Sequence, residues 1–480
     1  MPPQSLATLT RAPKHSDLRG KLTRINYYWI PGSLWLWTIT GAALTRFAQG
    51  LEMPEKYFGI LAALPFIGSM LQLPASYFLE KHSLRLKTTI YGIFASRSCW
   101  ILIGLVPWVL PKSLAWPAMI VLVGLSWATL NFGVPGWISW MADLVPERIR
   151  GRFIGNRRRL SLLVGVVSSL CVGELLELSE DQTVLLAIIS AIFIIAGICG
   201  VIEATGYLRE FSPDKPKPDE HIKWFSNLSK PFKTPGFRPF IAFNILFTLG
   251  LAFINQYIWL YCFNRLNFSN SKANLLLVTI PLLLQSVSFT YWGKIIDHMG
   301  KKQVLIIAGM ISTISTLGWL LCDPNNIWLG YAIVMISVLT WAGIDLSNFN
   351  ILISIAGTKK EGSIFIAVNS LVAAITGGVS GLLAAYIASK YETLTFTIPA
   401  ISDHPFGYIA ILFILSVALR VVAFFFIFFI DEPKDASTLD TIRFMTTSLY
   451  SNLRQAVFMP SRVAISLKNR TYVLTKHVKK

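Results

Sequence analysis

Charged and amide side chains inside otherwise apolar runs are where this chain could do chemistry, and there are few of them. Asp345 stands in the run 327–355, Arg97 in 88–110 and Arg420 in 405–430. Glu174 lies near the end of 160–176 and Arg46 near the end of 27–47. A charge at mid-bilayer is costly, so each marks a candidate site for a solute, ion or proton. A carboxylate out of water binds a proton more readily, and Asp345 is the residue best placed to use that property. Its alternative is a structural ion pair with Arg97 or Arg420. For the two arginines, the choice lies between binding an anionic solute and a paired or snorkelling structural role. The amides Asn131, Asn255, Gln256 and Gln285 can line a cavity or bond helix to helix.

Other chemistries find less support. The six histidines (His15, His82, His221, His298, His404, His477) all lie in polar segments, and no two share a metal or acid/base spacing. The five cysteines (Cys99, Cys171, Cys199, Cys262, Cys322) fall in or beside apolar runs without a CxxC pair. They read as small buried hydrophobes, with no disulfide expected between Cys262 and Cys322. No GxxxxGK[ST] phosphate loop occurs, which argues against ATP-driven pumping. No cofactor or metal is implied. A membrane-embedded acyl or glycosyl transferase would need a His, Asp or Glu cluster near an interface.

The elements that must position these residues are membrane spans. The chain has 480 residues, 54% hydrophobic and only 14% charged, with mean hydropathy +0.56. Apolar runs of about 20 residues, each long enough to cross a bilayer as a helix, recur along it. We place them at 27–47, 58–79, 88–110, 115–141, 160–176, 184–207, 240–263, 273–291, 304–322, 327–355, 364–387 and 405–430. They are continuous rather than alternating, which excludes a β-barrel. The net charge of +18 sits mostly in the segments between runs, so it reads as membrane topology and not as nucleic-acid binding. Basic residues crowd the N-terminal tail, 148–159 and 209–238, whereas 177–181 is acidic. That asymmetry puts both termini in the cytoplasm and requires an even number of spans.

Residues 208–238 hold the run SPDKPKPDE, the composition of an extended linker. They divide the chain into a tail (1–26), a first six-helix half (27–207), the linker, a second six-helix half (239–430) and a basic tail (431–480). In the last tail, apolar residues from Leu439 to Phe458 recur at roughly helical spacing. Either an amphipathic helix on the anionic leaflet or a disordered tail fits them. Nothing before 27 resembles a cleavable signal.

The segment Gly293-Lys-Ile-Ile-Asp297-His-Met-Gly300-Lys301-Lys302 follows the eighth run. Gly293 would let helices approach, Asp297 would accept hydrogen bonds from a helix N-terminus, and Gly300 would allow a tight turn. The segment resembles the GxxxDxxGRK-type loop of the major facilitator superfamily, found after the second helix of each half. After the second run, Glu80, Lys81, Arg85 and Lys87 keep the acid and the bases but lack both glycines. A third segment, Asp143-Leu-Val-Pro146-Glu147-Arg148-Ile-Arg150-Gly151-Arg152, is similar to that family's loop between helices four and five. There Asp143 and Glu147 would pair with nearby arginines and cap the fifth helix. A weak echo relates Trp127-Ala-Thr-Leu-Asn131 to Trp341-Ala-Gly-Ile-Asp345, as a duplicated chain would show.

The resemblance implies an all-α protein of about twelve spans in two pseudo-symmetric halves. It also implies a solute carrier with a central cavity lined by helices 1, 4, 7 and 10, where Asn131 and Asp345 would face each other. The expectation is a monomeric secondary transporter in a bacterial inner membrane, with the bilayer and a small solute as its partners. A membrane enzyme, or a non-transporting sensor on the same fold, is the alternative.

Overall fold

The computed structural model describes residues 15–82, 84–210, 228–356, 362–398 and 402–430. The expected amphipathic tail after 430 lies outside them, as do most of the linker and the side chains of Glu80, Glu147, Arg148 and Asp297.

The first half contains α1 (His15–Thr38), α2 (Ala42–Gly50), α3 (Phe58–Ser69), α4 (Gln72–His82), α5 (Arg85–Val109), α6 (Lys112–Leu144), α7 (Glu147–Leu175) and α8 (Gln182–Tyr207). The second contains α9 (Phe237–Phe253), α10 (Tyr257–Leu260), α11 (Asn270–Asn274), α12 (Ile280–Met299), α13 (Lys301–Leu317), α14 (Ile327–Ala356), α15 (Gly362–Lys390) and α16 (Tyr408–Ile427). Single π-helical turns follow α10 (Tyr261–Arg265) and α11 (Leu275–Thr279). Between α15 and α16 an antiparallel pair, β1 (Phe396–Ile398) and β2 (Ser402–Phe406), sets Phe396 opposite Phe406.

Among the described residues, nine helical stretches are long and apolar enough to cross a membrane. The expected spans at 27–47, 160–176 and 273–291 are helical but outside that set. The first is broken at residues 39–41, where Gly41 takes a φ of 104° that other side chains resist. The fifth starts at Glu147, thirteen residues earlier than the apolar run, so its first turns are arginine-rich. The eighth passes through a π turn and ends in the polar segment before Gly300. Large apolar side chains stay exposed on the outside, among them Tyr91, Val121, Leu163, Ile195 and Phe425. A surface this apolar suits lipid, not water.

Chain ends and far loops define the two ends of the molecule. At the tail end lie the start of α1, the end of α4 at His82, the 144–147 turn, Gly300 and the finish of α16. The far end carries the loops at 51–57, 176–181, 266–269, 322–326 and 391–395, and Gly407 before α16. Buried apolar residues show how the halves meet. One cluster joins them toward the far end, from Trp35, Phe47 and Phe193 to Tyr257, Tyr261 and Phe413. Toward the tail end it gives way to two separate clusters, one per half. Apolar packing therefore joins the halves at the far end, whereas at the tail end each half packs on itself.

Two seams make the closure. In one, α3 runs along α15 with Gly59 against Gly381 and Ala385, and Phe66 against Gly377. These pairs bring backbones together as small residues do in membrane helices. In the other, α7 packs on α11 and the π turn after it. There the Ser169 and Thr279 hydroxyls lie 2.6 Å apart, Asn270 donates to Leu176 O at 2.9 Å, and Asn274 donates to Ser169 O.

Candidate functional site

A buried charge cluster sits inside the first half, between α1, α5, α6, α7 and α8. Arg97 on α5 is 2% exposed and Glu203 on α8 is 1% exposed. Arg97 Nη2 donates to Glu203 Oε2 at 3.1 Å. Tyr207, one helical turn after Glu203, donates to its Oε1 at 3.2 Å. Arg157 Nη2 stands 3.9 Å from the same oxygen and donates to the Tyr207 hydroxyl at 3.3 Å. Glycines make the room. A Cβ at Gly32 would collide with the Glu203 carboxylate, and one at Gly200 would lie 2.5 Å from Arg97 Cγ.

Indoles hold both guanidinium groups. Arg97 lies 3.4 Å over the Trp35 ring, and Arg157 lies 4.1 Å from the Trp29 ring centroid and 5.0 Å from that of Trp137. Cation–π contacts of this kind are worth about 2 kcal/mol when desolvated. Beside the cluster is a cavity of about 310 Å³, walled by Leu36, Ile93, Leu130 and Val134 and bordered by Trp137 and the two arginines. Several buried donors around it have no hydrogen-bond partner: Arg97 Nε and Nη1, Trp35 Nε1 and Trp137 Nε1. Each such group costs about 1–3 kcal/mol in a folded protein.

The residues singled out from sequence fall in three places. Arg97 belongs to this cluster, and its partner is Glu203 rather than Asp345. Asn131 is buried on α6, accepting from Gln72 Nε2 at 2.6 Å and donating to Trp127 O at 2.8 Å, so its bonds stay within the first half. Asp345 is exposed on α14, and its charged neighbour is Arg158 of α7. Arg158 also reaches across the halves to Phe289, 5.0 Å from the ring centroid. Gln285 is half-buried on α12. Arg420 is buried between α9, α13 and α16, donating to Thr316 Oγ1 at 2.8 Å and to Ser416 O at 3.3 Å. In the second half an amide chain runs from Asn348 through Asn244 to Asn369, at 2.6 and 3.0 Å.

Glu174, Gln256 and Arg46 belong to the far-end closure. Ser271 donates to Glu174 at 2.7 Å, Gln256 to Thr45 at 2.8 Å, and Arg46 to Asn270 at 2.5 Å. Asn255 is exposed beside the break after α9. Glu55 accepts from Asn264 at 2.7 Å and from the Tyr408 hydroxyl, and Gly59 N donates to Tyr257 at 3.1 Å. Asp181, in the loop before α8, caps that helix by accepting from Thr183 N at 2.7 Å and Val184 N at 3.2 Å. The Val184 and Thr183 N–H groups hold its carboxyl below the usual carboxylate range.

The tail-end loops depart from expectation in two respects. Asp143 pairs with Arg85 at the start of α5, and the N-cap position of α7 is Pro146. Arg150 instead caps the end of α6, donating to Ala142 O at 2.9 Å. A Cβ at Gly293 would meet nothing within 4 Å, so this glycine mediates no close approach here. Gly300, at φ 92°, makes the expected turn between α12 and α13. Lys302 is buried and donates to Ile430 O at 2.8 Å, tying that turn to the last helix. Lys301 and Gly151 lie at the same end. Glu203, Tyr207 and Arg157 were missed. The available signal was an acid inside the sixth apolar run with a tyrosine four residues on. No group of three or more His, Cys, Asp or Glu able to hold a metal occurs among the described residues.

The profile of the Major Facilitator Superfamily matches residues 32–381. No curated protein matches the chain by sequence. The nucleoside transporter NupG superposes with a TM-score of 0.61 at 13% identity, covering 85% of this chain and 98% of NupG. A bacterial homologue of the human lysosomal transporter Spinster, inward-facing and occupied, gives 0.65 at 12%, covering 87% and 97% of the two chains. The xylose transporter XylE from E. coli, inward open, gives 0.61 at 12%, covering 88% and 99%. At these identities the likeness is one of fold.

Proposed function

We propose that this chain, which belongs to the Major Facilitator Superfamily, is a secondary transporter moving a small organic solute by alternating access between its two halves. The observation that carries this reading is that apolar packing joins the halves at one end and leaves each half packed on itself at the other, with a pocket beside the buried ion pair of the first half. The far-end seams are held by small-residue packing and scattered side-chain hydrogen bonds, which average only about 0.6 kcal/mol each between membrane helices. A closure built this way can open within the few kcal/mol that separate transporter states. The pocket beside Arg97 and Glu203 is the solute site in this reading, and Asp345 beside Arg158 is the proton-binding carboxylate. Twelve spans cross a bacterial inner membrane, with the tail end in the cytoplasm. That orientation keeps Arg150, Arg152 and Arg159 on the positive side.

Cysteine accessibility in sealed vesicles tests the cycle without a known solute. A membrane-impermeant thiol reagent is applied to Asp345→Cys at the tail end and to Gln256→Cys in the far-end closure. We expect each position to react from one side only, and conditions that protect Asp345→Cys to expose Gln256→Cys. Simultaneous reaction of both positions, or protection of both under all conditions, overturns the alternating-access reading.

A further inference from the structure

We infer that the first-half pocket takes an organic monoanion with an apolar body, its carboxylate or equivalent oxyanion held by the free donors of Arg97, Trp35 and Trp137. This rests on the pocket being the solute site.

Charge comes first. The cluster holds two guanidinium groups, Arg97 and Arg157, against one carboxylate, Glu203, and so carries an excess of one positive charge. A buried charge needs a counter-charge, and among the described residues lining the pocket Glu203 is the one acid. One negative charge on the ligand balances the site. A cation adds to the excess, and a dianion leaves a buried charge of the opposite sign.

Hydrogen-bond polarity points the same way. The unpartnered buried groups at the cavity are all N–H donors: Arg97 Nε and Nη1, Trp35 Nε1 and Trp137 Nε1. Glu203, the acid of the pocket, is already engaged at both oxygens, by Arg97 on one and Tyr207 on the other. The pocket therefore wants acceptor atoms. An oxyanion supplies them and strengthens each bond through its charge.

Shape sets the remainder. The cavity of about 310 Å³ is larger than a bare inorganic anion needs, and four of its walls are aliphatic, Leu36, Ile93, Leu130 and Val134. A small anion would leave those walls against water, whereas an alkyl or aryl group would cover them.

The test uses the purified full-length chain in lipid nanodiscs and titration calorimetry. The probes are hexanoate, 3-phenylpropionate and 2-naphthoate, each paired with its neutral amide, together with 3-phenylpropylamine. We expect at least one carboxylate to bind, its amide to bind at least tenfold more weakly, and the amine not to bind. Arg97→Gln should erase the preference for carboxylate over amide. Should that variant misfold, Trp137→Phe removes a free donor while leaving the ion pair intact, and carboxylate affinity should fall several-fold. An amide that matches its carboxylate, no binding by any carboxylate, or undiminished carboxylate affinity in Trp137→Phe overturns the inference.

Spin-label distances between Leu178→Cys and Trp328→Cys, both exposed at the far end, separate this inference from the transport reading. If these distances interconvert while no carboxylate binds, the ligand class falls and the transport reading stands. If a carboxylate binds with the expected preference but the distances never change, the ligand class stands and the transport reading falls.

Discussion

Replacing Gly381 with alanine puts one methyl group into the tightest seam between the halves. A Cβ there would lie 2.5 Å from the Gly59 carbonyl oxygen, 2.7 Å from Ala63 Cβ and 2.9 Å from Ala63 N. Non-bonded carbons attract best at about 3.5–4.0 Å, so the methyl overlaps its neighbours by about 1 Å. The obstacles are backbone atoms and a Cβ, none of which can rotate away. Overpacking of this kind costs about 1–3 kcal/mol. The cost falls on the far-end-closed state alone, because the same methyl is free once α3 and α15 part. A differential of that size lowers the ratio of far-closed to far-open protein by about 5- to 150-fold. Pulsed spin-label distances between Leu178→Cys and Trp328→Cys, with native cysteines replaced, read that ratio directly. The longer-distance population should rise by this factor, and thiol labelling of Asp345→Cys at the tail end should fall in step. An unchanged distribution in a folded Gly381→Ala protein refutes the reasoning, since the overlap would then be absorbed within each half and not across the seam.

Three further outcomes follow from the geometry. Glu203→Gln leaves Arg97 and Arg157 buried without a counter-charge and should cost about 3–5 kcal/mol of stability, read by thermal unfolding in detergent. Adding Arg97→Gln should restore a substantial part of it, and strictly additive losses would show that the pair is not coupled. Asp345→Asn should abolish uptake while expression and monodispersity persist, and normal transport by that variant removes Asp345 from the proton-binding role. Asp181→Ala should destabilise the protein at neutral pH. Because the folded-state carboxyl titrates below its unfolded value of about 3.9, the cap's contribution is present above that pH and is lost as pH falls through the folded value. The stability gap to the parent protein should therefore close in acid, and a gap independent of pH would rule out the charged cap.

Hydrophobic run length made most of the fold legible, because a span must satisfy its own backbone in lipid and cannot hide its composition. Motif register located the turn at Gly300, where only a positive φ closes the connection. In the sequence Arg157 reads as loop charge, because its neighbours Arg158 and Arg159 break the apolar run. The helix nevertheless begins ten residues earlier, at Glu147, and carries Arg157 into the bundle. Arg97 drew attention as a lone intramembrane charge, but its partner Glu203 lies 106 positions away on α8 and no local pattern links them. The far-end closure was harder still. Its partners, such as Gln256 with Thr45 and Asn264 with Glu55, are more than 200 positions apart. They are amides, a hydroxyl and a carboxylate of the kind that decorate any loop.

Two buried arginines show why burial alone does not identify a site. Arg420 gives its donors to Thr316 and to the Ser416 carbonyl, within one half and against packed neighbours. An arginine satisfied by neutral oxygens is a strut, and removing it should loosen α13 against α16 without changing what the protein binds. Arg97 is arranged differently. One of its nitrogens is spent on Glu203, its face rests on Trp35, and two donors remain buried and unpaired at the edge of a cavity. A purely structural ion pair gains little over apolar packing of the same volume, and unpaired donors make it worse. An acceptor from outside the chain would complete the arrangement. That difference, more than the charge itself, is the ground on which we propose the first half, and not the second with its chain of neutral amides, as the side that binds.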